Sequence, residues 1–404
     1  MPRATAVSAD ARRTNAALIF ERLLDHGPCS RKAIREATGL VSGTVTAIVA
    51  ELIARGLVRE TGELVATGGR PRRILDLVPG RVLGAAAAVT KDRVGVELVD
   101  LGGRTRWSAS TPHRGAVEGA APLVAALAGL LDDAHDAADG VPGAWYSGAV
   151  VAVPGLVVGD DRLLITLEMP LRDLALVEQT GSRLRRPQSI RLLNSGRTAA
   201  LAEWAALPPA GRPRLMAYVA SLAHGVSGGL VEDGRLVGGE HGLAGEVGHI
   251  VVDALGEPCE CGARGCLTTL LATDRLLLAA GVPAGEISAL GEGGIDRLVR
   301  LLEDCNAPAR AAVERAAFGL AAATATLSNL TDVGLVVMGG HLLALRPWIG
   351  GVVTEVLESR ARVNAVFNPR VREGGAAEDT VRAGMVQALR SRVGADPLAV
   401  PVVA

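Results

Sequence analysis

Apolar positions at the start of the chain recur with helical spacing. In residues 15–25 (NAALIFERLLD), Ala16, Ile19, Leu23 and Leu24 share one face. His26-Gly27-Pro28 ends that pattern. Ser30 is placed to cap a second helix, with Ala33, Ile34 and Ala37 turned inward. After a Thr38-Gly39 turn, Val45, Ile48, Val49 and Leu52 recur at i, i+3, i+4 and i+7, and Arg55-Gly56 stops this third helix. Leu57 to Glu60 reads as a strand, Thr61-Gly62 as a turn and Leu64 to Thr67 as the returning strand. Three short helices followed by a hairpin predict a winged helix-turn-helix whose third helix enters a DNA major groove. A helical protein-interaction module is the alternative reading.

From Val82 the period changes. Leu83 to Val89, Val94 to Val99 and Ala149 to Val153 read as buried strands, with helices near 117–138 and 196–206. A second half begins near Leu215, with strands at Ala217–Leu222, Gly229–Glu232 and Gly334–Met338. Its helices fall near 268–280, 293–304 and 308–330. Two α/β halves hinged on each other suit an actin-like architecture with a cleft between lobes. The expected division is 1–79 for the head, 80–205 for lobe 1 and 206–404 for lobe 2, with a closing helix that returns to lobe 1.

Composition supports a folded chain. Of 404 residues, 49% are hydrophobic and 21% charged, outside the disordered range. Residues 1–75 carry 12 Lys/Arg against 7 Asp/Glu, and the remainder 30 against 36. A basic head on an acidic body fits a DNA-binding module. The N-terminal Met-Pro-Arg-Ala-Thr has no apolar segment behind it, and no run of 18 apolar residues exists. A cytoplasmic protein with no membrane partner is the expectation.

The outward face of the third helix is small. Ser42, Gly43, Thr44, Thr46 and Ala47 are the candidate base contacts, with Ala50 and Ala54 further along. Readout is then limited to hydroxyl hydrogen bonds and thymine methyls. Gly68-Gly69-Arg70-Pro71-Arg72-Arg73 holds three arginines on a backbone that cannot continue a helix. Arg70, Arg72 and Arg73 suit a minor groove or phosphates, and Arg31 a phosphate. A solvated linker is the competing reading of that run.

Of five cysteines, Cys259, Cys261 and Cys266 lie within eight residues, which in a reducing compartment points to metal before disulfide. With His249 they make one imidazole and three thiolates, a closed tetrahedral zinc set with no open position for a catalytic water. A reduced thiol cluster is the alternative. Cys29 and Cys305 fall outside the pattern and read as buried small hydrophobes.

The segment SRKAIREATGLVSGTVTAIVAELIARGLVRETG with GGRPRR resembles the winged head of ROK-family repressors (repressor, open reading frame, kinase). So do Gly245-Glu246-Val247-Gly248-His249 and Cys259-Glu260-Cys261-Gly262-Ala263-Arg264-Gly265-Cys266, which match the family's two most specific motifs, and VRAGMVQAL near the C-terminus. The resemblance spans nearly the whole chain. It implies an α/β protein: a winged helix-turn-helix followed by a two-lobed actin-like (ribonuclease H-like) sugar-kinase ATPase fold. It also implies a double-stranded DNA operator, a homo-oligomer (dimer or tetramer), a sugar or sugar-like effector, and Zn. One departure is Val41, where the family has a capping Ser; Ser42 is placed to cap instead.

The kinase motifs are damaged. The family's Asp-x-Gly-Gly-Thr is Ala86-Ala87-Ala88-Val89-Thr90 here, its Asn-Asp-Ala-Asn is Asn194-Ser195-Gly196-Arg197, and its Gly-Thr-Gly-Ile-Gly-x-Gly is Ala223 to Gly229 (AHGVSGG). Ser195 cannot replace the Asp that takes the hydroxyl proton, so no catalytic residue and no enzyme activity are expected. Of the family's five sugar anchors, Asn194, Glu246 and His249 remain, and Ser195 and Thr268 replace two acids. The alternative for Glu246 is a loop carboxylate that fixes backbone near the metal.

Overall fold

The structure is a computed structural model describing residues 3–65, 72–166, 169–361, 369–375 and 377–403. The head contains α1 (Arg3–His26), β1 (Cys29–Ser30), α2 (Arg31–Thr38), α3 (Ser42–Ala54), β2 (Val58–Val65) and β3 (Arg72–Leu77), its sheet ordered β1-β3-β2. Its core is the apolar set of the helical pattern: Ile19, Leu23, Ile34, Val45, Ile48, Val49 and Leu52, joined by Phe20 and Leu75. Each such side chain contributes about 1.5–3 kcal/mol on burial. The Ser30 hydroxyl accepts from Ala33 N at 3.3 Å, and Gly39 (φ 70°) closes α2 by donating to the Arg35 carbonyl.

Two local expectations are corrected. Thr61-Gly62 does not reverse the chain. β2 runs on through it, and Glu60 pairs with Leu75 while Leu64 pairs with Arg73. Thr61, Gly62 and Glu63 therefore stand opposite Ile74 alone, a bulge that uses the positive φ of Gly62 (79°). The returning strand is 72–77, so Arg72 and Arg73 lie inside the wing rather than beyond it. Ser42 does not cap α3 either: Val41 holds the cap position (φ −72°, ψ 153°) and offers no side-chain acceptor.

The body has two five-stranded sheets with one topology. The first comprises β4 (Val82–Val89), β5 (Arg93–Asp100), β6 (Thr105–Pro112), β7 (Trp145–Val153) and, after an outlying three-stranded sheet of β8 (Leu156–Val158), β9 (Arg162–Ile165) and β10 (Arg172–Leu174), β11 (Ile190–Asn194). Its order is β11-β7-β4-β5-β6. The second comprises β12 (Leu215–Ser221), β13 (Val226–Glu232), β14 (Arg235–Leu236), β15 (Leu335–Gly340) and β16 (Arg370–Glu373), ordered β14-β13-β12-β15-β16. In each sheet the first strand is antiparallel to the second and parallel to the fourth, and the fifth is parallel to the fourth. This repetition is the two-lobed actin-like fold. β4 and β7 read as runs of Ala and Val because both faces are covered.

The helices are α4 (Gly115–Glu118), α5 (Ala120–Asp139), α6 (Leu176–Gly181), α7 (Ser195–Ala206), α8 (Leu267–Leu271), α9 (Thr273–Ala279), α10 (Ala284–Leu290), α11 (Gly294–Glu303), α12 (Ala307–Thr331), α13 (Leu342–Ala361) and α14 (Ala377–Ala395). α7 and α14 fill the space between the sheets, where Ala86, Val150, Ala200, Met216, Val337, Met385 and Leu389 share one core. Gly384 permits that approach, since a Cβ there would strike the Thr198 carbonyl. The helix expected over 268–280 is two helices. Ala272 is extended (ψ 140°), because Thr273 N and Asp274 N bond the Leu222 and Ala223 carbonyls. Cys29 is buried, but Cys305 is exposed at φ 60°, against the expectation of two buried thiols. Among the described residues no single helix is long and apolar enough to cross a membrane.

Candidate functional site

On the head, Ser42, Gly43, Thr46 and Ala47 are exposed and Thr44 is half-exposed, all on the face of α3 opposite its buried stripe. Val41, 70% exposed, extends this face as an apolar tip. Arg31 pairs with Glu60 at 2.9 Å, and Arg73 hydrogen-bonds the same carboxylate from β3. These bonds, Arg73 first, hold the Glu60 carboxyl below its ordinary range. Sequence reasoning missed Glu60, which links α2 to the wing and gathers two of the candidate arginines. Arg72 lies in β3, and Arg70 lies outside the described residues.

His249 ends a single turn at 247–249 and is followed by the cysteine loop. The ligating atoms of His249, Cys259, Cys261 and Cys266 all lie within 4.8 Å of one another. His249 Nδ1 is 3.7 Å from the Cys259 sulfur, and the Cys261 and Cys266 sulfurs are 3.6 Å apart. Zinc–sulfur bonds of about 2.3 Å in a tetrahedron require edges near 3.8 Å, so this spacing fits a zinc-sized ion. The loop closes through Cys259 N to the Ala263 carbonyl (2.8 Å) and pairing of Val251 with Cys266. Gly265 is obligatory there: φ is 64°, and a Cβ would collide with the Asp253 carbonyl. Burial and the neighbouring thiols push the Cys266 thiol up to about 12, which a bound cation would reverse.

The third group lies where the lobes meet. Asn194 caps α7: its Oδ1 accepts from Gly196 N (2.7 Å), Arg197 N (3.1 Å) and the Ser227 hydroxyl (3.3 Å), and its Nδ2 donates to the Gly155 carbonyl (2.6 Å). Most of the polar capacity of Asn194 is thus spent inside the chain. Thr268 is likewise engaged, accepting from Val226 N at 3.1 Å. Glu246 is different. Burial raises its pKa to about 7, the charge of Arg197 opposes that, and its Oε1 has no hydrogen-bond partner among the described residues.

Arg197, which sequence reasoning recorded only as a lost Asn, is the residue facing it. Its side chain is 2% exposed. Nη1 donates to the Gly242 carbonyl at 2.7 Å and lies 3.9 Å from Asp160, while Nε has no partner among the described residues. Gly159 N donates to the His241 carbonyl nearby (3.2 Å), so two loops are clasped across the seam. His249, half-buried with its pKa lowered by burial, turns Nδ1 toward the thiols.

The residues of the kinase motifs are committed elsewhere. The Thr90 hydroxyl bonds the Arg93 carbonyl and Asp92, both at 3.2 Å. In the loop before β13, His224 faces Asp274 at 3.3 Å, and the Leu222 and Ala223 carbonyls cap α9.

Comparison with known proteins agrees with this arrangement. Residues 94–387 match the ROK family. The xylose repressor of Bacillus subtilis (strain 168) is 29% identical over 274 residues, which cover 66% of this chain and 67% of that one. A solved ROK family transcriptional regulator, a homolog of the E. coli MLC protein, superposes with a TM-score of 0.77 at 20% identity, over 97% of this chain and 99% of that one. The ROK hexokinase from Thermus thermophilus superposes with a TM-score of 0.59 at 24% identity, over 76% of this chain and 97% of that one. The family match covers well over half of the sequence, and the chain belongs to the ROK family.

Proposed function

We propose that the chain is a cytoplasmic DNA-binding transcriptional repressor, acting as a homodimer or a larger homo-oligomer on a two-fold symmetric operator. The observation that carries this reading is a winged head with an exposed, small-residue α3 joined to a ROK body whose phosphate-transfer residues are replaced. Ser42, Gly43, Thr44, Thr46 and Ala47 read bases, Arg31, Arg72 and Arg73 hold phosphates, and Arg70 enters the minor groove. Footprinting of the purified protein across its own genomic neighbourhood tests the reading. Absence of any protected two-fold site would overturn it.

His249, Cys259, Cys261 and Cys266 hold one structural zinc ion, which orders the loop that carries Glu246. The body does not phosphorylate sugar, because phosphoryl transfer depends on positioning and electrostatics that this chain lacks. It senses a sugar or sugar-like molecule through Glu246 and His249, with Asn194 supporting the wall. A body that only dimerises is the second reading. Arg197 favours it, since its guanidinium already occupies the seam and Asn194 is spent on capping α7. Thermal-shift screening with sugars separates the two, because a ligand of the folded state raises stability by mass action.

A further inference from the structure

The last turn of any helix leaves carbonyls without intrahelical partners. In α3 the Leu52 and Ile53 carbonyls accept from Leu57 N and Gly56 N next in the chain, and the two carbonyls that follow take partners from far away. The Ala54 carbonyl accepts from Val403 N at 3.0 Å, and the Arg55 carbonyl from Arg81 Nε at 2.8 Å. Arg81 is buried. Its Nη1 donates to the Gly143 carbonyl at 2.8 Å and its Nη2 to the Pro401 carbonyl at 2.6 Å. One guanidinium therefore ties the end of α3, lobe 1 and the C-terminal segment. The Arg55 side chain adds a bond to the Val400 carbonyl, and the Val403 side chain lies against Gly56. Arg81 keeps its charge when buried, so the loss of any of these carbonyls leaves a costly orphan donor.

We propose that Arg81 and the 400–403 segment complete the C-terminal cap of α3, which Gly56 and Leu57 close only in part, and fix the direction in which the head presents that helix. Arg81 is a positioning residue: it acts on DNA through α3. The same segment follows a turn at Pro397–Ala399 that continues from α14, and α14 packs along α7, whose first turn is capped by Asn194. A shift of α14 against α7 is thus delivered to the end of α3. This rests on the DNA-binding, dimeric reading above.

The test uses full-length protein with Arg81→Met and, separately, Val403→Pro, which deletes one amide donor at a half-exposed position. Hydrogen exchange of the α3 C-terminal amides is measured together with affinity for a duplex carrying two half-sites and for one carrying a single half-site. Expected are at least tenfold faster exchange in both variants and at least tenfold weaker binding to the two-half-site duplex. Single-site binding and zinc content should stay unchanged. The double variant should be no worse than Arg81→Met, since both act on one cap. Unchanged exchange in both variants overturns the proposal, as do additive effects or an equal loss on both duplexes. If Arg81→Met does not fold, Val403→Pro decides alone. If the parent binds no duplex, the DNA reading fails while the exchange measurement still decides the cap.

Discussion

Arg31 and Glu60 form an ion pair at 2.9 Å that joins the second helix of the head to its wing, and Arg73 binds the same carboxylate from the opposite strand. The two arginines are held in place and partly neutralised before any DNA arrives. Glu60→Gln should therefore free both for phosphates. We expect tighter non-specific binding, with log affinity falling more steeply against log salt by about 0.9 per freed arginine. Titration of non-specific duplex at several salt concentrations measures this; an unchanged slope would show that neither arginine reaches a phosphate.

Metal removal should act locally first. With four ligands and a loop closed around them, binding energy is folding energy. Metal analysis should give one zinc per chain. A Cys261→Ser variant should lose the metal, melt at lower temperature and show faster exchange at Glu246, while operator binding by the head is weakened less than stability. A metal-free parent with the same melting temperature would contradict the assignment.

Glu246 sets a pH dependence of defined sign. Its folded pKa of about 7 lies above its ordinary value of 4.5, so the folded state holds a proton that the unfolded state has released. Stability from this residue is fully present below about pH 4.5, declines as pH rises to 7, and is level above that. One pKa unit is about 1.4 kcal/mol, so the decline is at most about 3.5 kcal/mol. Denaturant midpoints from pH 5 to 8 should fall in the parent and be flatter in Glu246→Gln. Parallel curves would locate the proton elsewhere.

The unmodified protein should release no ADP above blank with any hexose, and Ser195→Asp should not rescue it. The β4 segment Ala86–Ala88 supplies no acid, and Asp274 stands beside the loop preceding β13. Turnover by the parent in a coupled assay would refute this.

Much of the arrangement was legible beforehand because it rests on local rules. The buried stripe of α3, the Ser30 cap and the cysteine spacing are all written within a few residues of themselves. The wing was misread because Thr61-Gly62 carries a turn composition whether the chain reverses or bulges, and only pairing with β3 decides. Arg197 was missed because its meaning depends on Gly242 and Asp160, each distant in sequence. The same holds for Arg81, whose acceptors Arg55, Gly143 and Pro401 share no motif.

The outward face of α3 makes a prediction about the operator itself. Gly43, Ala47 and the 70%-exposed Val41 offer no long donor, and Ser42, Thr44 and Thr46 offer only short hydroxyls. Apolar contact with the C5-methyl groups of thymine is the readout such a surface supports. Replacing thymine by uracil in the half-sites removes those methyls and preserves every base-pair hydrogen bond. Burial of one methyl is worth about 0.8 kcal/mol, so each contacted position should cost about fourfold in affinity. Ala47→Asp should abolish binding by placing a carboxylate in the groove, while the head stays folded because position 47 is exposed. A uracil-substituted operator bound as tightly as the thymine one would move sequence recognition away from α3 and onto the arginines of the wing.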